Sequence, residues 1–391
     1  MARARKELKT VIWLGHADAR QRLAASVRQR RSAHAYLISG PEGIGKSAVA
    51  LEFARLLLCD QPGDRYCDQC AQCIALRTLH HPDLHIVAPS GAPKDSDTPA
   101  SETYPKELNL LRERLARDPY APADLAELTA ADSKAARRKL ATGSKIRVAD
   151  ARELLHMAYR KPYQARQSVF VLLNADKMLR EAQNALLKVI EEPPTSATII
   201  LTASQLETVL PTVRSRCQSV KLSAYSTVEL RSALMDSGVE ARAAELAAAL
   251  AGGSVRRALA FAEMEAAVLE QAAVEFLAAA AMLAPDKVNE KVTKLLEDTA
   301  FLDEAFFELM ALFLSDAAAK ATNVVSAELN FPSQRERIAK LTAAYPQANF
   351  VQAMAAVDRA AGSRSAGYTP ALVLTALAIE LHRALGQRAR A

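Results

Sequence analysis

The sequence predicts an α/β domain built on a parallel sheet, followed by an all-α region. Three observations predict it. Short apolar runs alternate with helical patterns over residues 35–222. A glycine-rich loop joins the first such run to the first such helix. After Leu222 strand patterns stop and alanine-rich helical patterns take over.

Ala35 to Ser39 is an apolar run ending at Gly40, the form of a buried parallel strand. A helix is predicted from Ser47 to Leu58, because Val49, Phe53, Leu56 and Leu57 recur at helical spacing. Further strands are expected at Val169–Leu173, Thr198–Thr202 and Ser219–Leu222. Helical patterns lie near Val148–Tyr159 and Arg180–Glu192, the second stopped by Pro193-Pro194. Strands alternating with helices imply a parallel sheet covered on both faces.

Three short helices follow at Ser226–Asp236, Glu240–Ala251 and Ser254–Glu263, with a break at Gly252-Gly253. From Met264 onward longer amphipathic helices, broken at Pro285, Pro332, Pro346 and Gly362, predict a separate helical bundle. One stretch interrupts the α/β order. Between Ala88 and Ser144 stand Pro89, Pro93, Pro99, Pro105, Pro119 and Pro122 among small and charged residues. We read residues 91–144 as an insertion unable to build a core and mobile, apart from one helix near Glu107–Leu115.

Composition narrows the class. The 391 residues are 50% hydrophobic and 24% charged, which excludes disordered and collagen-like chains. The longest apolar run, Phe276–Ala284, is far short of the ~20 residues of a membrane span. The basic N-terminal stretch lacks the apolar core of a signal peptide, so a cytoplasmic protein with no membrane partner is expected. A net charge of +6 permits nucleic-acid contact without arguing for it.

Gly40-Pro41-Glu42-Gly43-Ile44-Gly45-Lys46-Ser47 matches the P-loop pattern between a strand and a helix. Gly40, Gly43 and Gly45 let backbone N–H groups face a phosphate at a helix N-terminus. Lys46 can reach the β/γ-phosphates and Ser47 can hold Mg²⁺. Binding is not hydrolysis, which also needs an acid on the metal and a group orienting water. The strand that should carry them continues Leu173-Asn174-Ala175-Asp176. Leucine supplies no carboxylate, an asparagine amide is a poor base, and Asp176 falls beyond the expected strand end. The residues therefore predict either binding of ATP or ADP, with Mg²⁺, without turnover, or a degenerate site.

Cys59, Cys67, Cys70 and Cys73 form C-x₇-C-x₂-C-x₂-C, a closed set of thiolates suited to structural Zn²⁺. His80, His81 and His85 are expected to serve a turn or the surface, and Cys217 to be a small buried residue. Arg214 and Arg216 precede the last strand. Each reads equally well as a surface charge or as a group projecting into a neighbour's nucleotide site.

Together, His34-Ala35-Tyr36-Leu37, the P-loop, the four cysteines, Asn184-Ala185-Leu186-Leu187-Lys188, Glu191-Glu192-Pro193-Pro194 and Ser215-Arg216-Cys217 resemble the bacterial DNA polymerase III clamp-loader family. The motifs keep the family's order over about Thr10–Ala260. The resemblance implies an AAA+ fold: a P-loop domain at 1–223 carrying the zinc module at 59–73, a three-helix lid at 224–265 and a helical collar at 266–391. It implies a hetero-pentamer with motor and clamp-opening subunits, acting on a sliding clamp and primer–template DNA within a polymerase holoenzyme. Leu173-Asn174 stand where the motor subunit carries Asp-Glu, which resembles the family's stationary, non-hydrolysing subunit. By that resemblance Arg216 acts in trans on a neighbour's ATP site, and Arg256 occupies the sensor-2 position. Two other readings stay open: an active motor subunit or other P-loop ATPase, and a stand-alone zinc-containing DNA-binding protein.

Overall fold

The computed structural model describes residues 15–91, 98–125, 144–263, 266–281, 300–322, 335–365 and 368–386. The chain divides into two units, residues 1–225 with Gly253–Arg256, and residues 226–252 with 257–391.

In the first unit the elements run α1 (Ala17–Arg28), β1 (Ala35–Ser39), α2 (Lys46–Leu58), α3 (Ala71–Leu76), β2 (Leu84–Val87), α4 (Ala100–Thr103), α5 (Pro105–Arg117) and α6 (Val148–Ala158). They continue as β3 (Ser168–Leu172), α7 (Arg180–Glu191), β4 (Ala197–Ala203), α8 (Pro211–Arg214) and β5 (Gln218–Lys221). The five strands form one parallel sheet in the order β2-β3-β4-β1-β5. Every residue of β1, β3 and β4 is buried, as a sheet covered on both faces requires. The edge strand β5 buries only Val220.

One core lies between the sheet and α6 and α7. Phe170, Leu172, Ile199 and Leu201 from the strands meet Leu154, Leu186 and Val189 from the helices. Each such side chain contributes about 1.5–3 kcal/mol by leaving water. The predicted alternation of strands and helices is therefore observed, with boundaries shifted by at most one residue.

The insertion departs from expectation. The helix near Glu107–Leu115 is longer, Pro105–Arg117, and starts with proline at its first turn. Leu111, Leu115, Tyr120, Ala121, Ala123 and Leu125 are buried, so residues 98–125 do contribute to a core. Proline content misled because Pro105 starts a helix and the Asp118 backbone and side chain order the next turn. The Asp118 carbonyl accepts from Ala121 N–H (3.1 Å) and its carboxylate accepts from Tyr120 N–H (2.9 Å). Residues 92–97 and 126–143, which carry the rest of the mobility expectation, lie outside the described residues.

The second unit is helical among its described residues: α9 (Thr227–Asp236), α10 (Ala241–Leu250), α11 (Val255–Glu263, its first two residues belonging to the first unit), α12 (Ala266–Ala281), α13 (Ala300–Ala321), α14 (Arg335–Ala344), α15 (Phe350–Ser365) and α16 (Pro370–Leu385). A capping box starts α9, in which Ser226 and Glu229 satisfy each other's backbone N–H. Phe276 and Phe306 pack edge-to-face at 5.9 Å between α12 and α13. The expected break at Pro346 falls between α14 and α15, whereas Gly362 lies inside α15 and does not break it. An exposed helical glycine costs only about 1 kcal/mol, less than the packing of the helix returns. Pro285 and Pro332 lie outside the described residues. Among the described residues no helix is long and apolar enough to cross a membrane.

Candidate functional site

The P-loop runs from the end of β1 into the start of α2. Gly43 and Gly45 have φ of 74° and 98°, a region L-residues rarely adopt. Space demands glycine as well. A Cβ on Gly43 would collide with the Ser254 hydroxyl, and one on Gly45 would lie 2.6 Å from the Tyr120 ring. The Lys46 ammonium donates to the carbonyls of Gly40 (2.8 Å) and Pro41 (2.6 Å). Burial lowers its pKa from the usual 10.5 to about 8, against the opposing pull of Asp176 and Glu42.

Glu42, Gly43, Gly45, Lys46 and Tyr120 line a cavity of ≈ 320 Å³ that also takes in Ser47, Asn174, Lys145, Lys177 and Arg256. Arg256, 209 or more residues away from the loop in sequence, donates its backbone N–H to Gly43 O (3.1 Å). Its guanidinium pairs with Glu42 at 3.3 Å, a half-exposed contact weak enough to exchange for another anion. The structure thus brings Gly43, Gly45, Lys46, Ser47 and Arg256 to one place, with Gly40 anchoring the loop through its N–H to Ala203 O (3.3 Å).

The position facing the P-loop lacks hydrolytic acids. Leu173 is fully buried and its N–H bonds to Val87 O (2.8 Å), continuing β3. Asn174 has φ 55°, and its side-chain amide donates to Ala123 O (3.1 Å). Asp176 is closer to the loop than its distance past the strand suggested. A 3₁₀ turn at Ala175–Lys177 folds it back to line the cavity, where its carboxylate accepts from Ser204 N–H (3.3 Å).

Sequence reasoning missed the part of the cavity supplied by the insertion. Pro119 to Asp124 form one wall. Asp124 is buried, pairs with Lys177 at 2.8 Å and accepts from Ser144 Oγ. No spacing in the sequence links Asp124 to Lys177, and only the fold of the insertion joins them.

A second cluster sits after α2. The sulfur atoms of Cys59, Cys67, Cys70 and Cys73 all lie within 4.8 Å of one another, a group able to hold a metal. Cys67 and Cys73 Sγ are 3.9 Å apart, close to the ~3.8 Å edge of a tetrahedron with 2.3 Å metal–sulfur bonds. Backbone N–H groups of Cys67, Cys70 and Cys73 donate to the sulfurs of Cys59, Cys67 and Cys70 at 3.3–3.4 Å. Such donors from Gln69 and Cys70 hold the Cys67 thiol down to about 6. His81 takes no part: its Nε2 meets Gln72 Oε1 (2.6 Å) and its Nδ1 accepts from Asp83 N–H (3.0 Å), fixing a turn. His80 Nδ1 likewise meets Thr78 O (2.8 Å), while His85 stacks on Phe170 and is held neutral by burial, its pKa lowered to about 4.

Arg216 lies outside the cavity. Its guanidinium pairs with Glu191 (3.0 Å) and donates to Thr212 O (3.1 Å), with 41% of the side chain exposed. Cys217 is buried, and burial pushes its thiol up to about 12.

The family described as DNA polymerase III, delta subunit, matches residues 15–226, more than half of the chain. The chain belongs to that family. It is 31% identical over 227 residues to the DNA polymerase III subunit delta-prime of Pseudomonas aeruginosa, covering 57% of this chain and 53% of the relative. It is 24% identical over 223 residues to the delta-prime subunit of Bacillus subtilis, covering 57% of this chain and 52% of the relative. A third relative, the gamma/tau subunit of Mycobacterium tuberculosis, is 31% identical over 197 residues, 50% of this chain and 25% of that one. The match spans about half the length of the delta-prime relatives. It covers the sheet, the P-loop, the cysteine cluster and Arg216, and leaves out most of the second unit.

Proposed function

We propose that this chain is a delta-prime-type, non-hydrolysing subunit of the DNA polymerase III clamp loader. In this reading residues 1–223, 224–265 and 266–391 are the P-loop domain, lid and collar of an AAA+ subunit. It helps motor and clamp-opening subunits load a sliding clamp onto primer–template DNA, and it contacts DNA through that complex. The observation that carries the reading is the pair Leu173 and Asn174. The side chain of one has no polar atom, and the other donates its amide N–H to Ala123 O. Neither supplies a carboxylate to hold and neutralise the metal ion or a base to orient and deprotonate water, which phosphoryl transfer to water requires.

ATP or ADP is the ligand proposed for the cavity. The N–H groups at the start of α2 suit a phosphate, the cations Lys46 and Arg256 line the cavity, and Ser47, which lines it too, is the residue proposed to hold Mg²⁺. Binding at this site should weaken as pH rises. Lys46 loses its charge above about 8, so the affinity for pyrophosphate or ADP should fall, by up to about tenfold per pH unit, between pH 8 and 10. Calorimetric titration across that range checks this, and Lys46→Arg should flatten the profile. The same shift acts on folding with the opposite sign. The unfolded lysine binds its proton more tightly, so this group favours the folded state increasingly from pH 8 toward 10.5.

Zinc is the ion proposed for the four cysteines, in a structural role, because the set is closed and all-sulfur. Arg216 is proposed to act on a neighbouring subunit's ATP, since it lies at the surface and away from its own P-loop. The intact P-loop and the carboxylate of Asp176 in the cavity support the competing motor reading. Gel filtration of the purified chain with the motor and clamp-opening subunits tests the assignment to the assembly. One co-eluting complex is expected, and failure to associate at micromolar concentration would contradict it.

A further inference from the structure

The P-loop is covered by a piece of its own chain. The Tyr120 ring lies against Gly45, and Tyr120 and Lys46 are each only 6% exposed. The Lys46 ammonium turns onto the loop's own carbonyls at Gly40 and Pro41. The covering segment is fastened at its far end by two side chains from the turn after β3. Asn174 donates its amide to Ala123 O at 3.1 Å, and Lys177 pairs with the buried Asp124 carboxylate at 2.8 Å. A further bond, Leu125 N–H to Pro89 O (2.9 Å), ties the segment to the end of β2.

We propose that Pro119–Asp124 is a latch across the phosphate-binding loop, clipped shut by Asn174 and Lys177, and that it must release before an anion can engage Lys46. The chemistry of the clip explains why an amide serves at position 174. A carboxylate there would set an acceptor against the Ala123 carbonyl and could not donate to it. The residue whose identity removes hydrolysis is thus the residue that fastens the cover. A latched state lowers apparent anion affinity by the fraction of molecules open, so loosening the clip raises affinity without a new contact. The effect on nucleotide rests on the reading of this cavity as a nucleotide site, whereas the latch itself is a contact within the chain.

The test uses the full chain and two variants that leave net charge unchanged, Asn174→Ala and Tyr120→Ala. Lys46 is labelled with an amine-acylating reagent at pH 7.5, and its rate is read by peptide mass spectrometry. Asn174→Ala should speed Lys46 labelling about fivefold, the scale of one buried hydrogen bond, and should speed amide exchange in residues 120–125. Tyr120→Ala should speed labelling at least as much. The double variant should add little beyond the larger single effect, because once the cover is open a second loss exposes Lys46 no further. Labelling in Asn174→Ala at the wild-type rate overturns the latch, provided its thermal unfolding matches wild type. If that variant is destabilised, Tyr120→Ala decides on the same criterion. In a second arm, fluorescent ADP should bind the variants more tightly by the factor seen in labelling. Wild-type affinity beside faster labelling overturns the gating role. If ADP binds none of the proteins at millimolar concentration, the nucleotide reading fails, and the labelling rates still decide the latch.

Discussion

Cys73→Ser should abolish metal binding and lower the stability of the zinc-loaded first unit by about 4 kcal/mol or more, the linkage expected when free metal stands a thousandfold above its dissociation constant. The cluster joins the C-terminal end of α2, at Cys59, to Cys73 on α3. What it holds in place is otherwise lightly built. Gln61 to Cys70 contribute no residue to the buried hydrophobic core, and beyond the sulfurs they are held by polar contacts at the surface, such as Arg77 to Asp68 (3.3 Å) and Arg55 to Tyr66 Oη (3.1 Å). Three thiolates and a serine hydroxyl make a poor tetrahedral set, so the loop loses its main crosslink. Metal analysis of the reduced wild-type protein should give one equivalent of zinc, and a chelator should lower its melting temperature. The same chelator should leave Cys73→Ser unchanged. A wild-type melting temperature indifferent to chelator would sink the structural role of zinc.

Arg216→Ala should slow ATP hydrolysis by the assembled clamp loader while leaving this chain folded, zinc-loaded and able to assemble. An arginine finger is worth about 10³–10⁵ in rate at its own site. Only one of several motor sites borders this chain in the proposed assembly, so the loss in the whole complex should be partial. Its partner in this structure, Glu191, is half-exposed, and a pair of that kind contributes little that a neighbour's phosphate could not replace. Arg216→Lys should be nearly as impaired as alanine, because an ammonium lacks the planar fork that matches phosphate oxygens. Clamp-stimulated ATPase at the wild-type rate in the Arg216→Ala complex would remove this residue from the mechanism.

The sheet was legible because β1, β3 and β4 are buried on both faces, which leaves continuous apolar runs in the sequence. β2 escaped detection for the opposite reason. Its four residues alternate buried and half-buried, and His85 sits in the middle, stacked on Phe170 in β3. α1 was missed because Leu23 and Val27 are its only apolar residues larger than alanine and its N-cap, His16, is a left-handed residue with no side-chain cap hydrogen bond. The P-loop and the four cysteines were readable because their chemistry depends on near neighbours in sequence. The wall made by Tyr120 and Asp124 was not, because its partners Gly45 and Lys177 are brought to it only by the packing of the insertion. Proline count, taken as a sign that the insertion cannot build a core, misled outside the helix expected near Glu107–Leu115, since Tyr120, Ala121, Ala123 and Leu125 after that helix are buried.

Steady-state ATP hydrolysis by the purified chain is the most direct measure of the central claim, that this P-loop protein binds without turning over. Leu173 and Asn174 leave the cavity without a metal-binding acid at the end of β3 or a base for water. Turnover should therefore stay far below the ordinary enzyme range of about 1–10³ s⁻¹, and Lys46→Ala should change it little. Hydrolysis at about 1 s⁻¹ or faster, abolished by Lys46→Ala, would show that Asp176 or another group supplies the missing chemistry and that the chain is a motor.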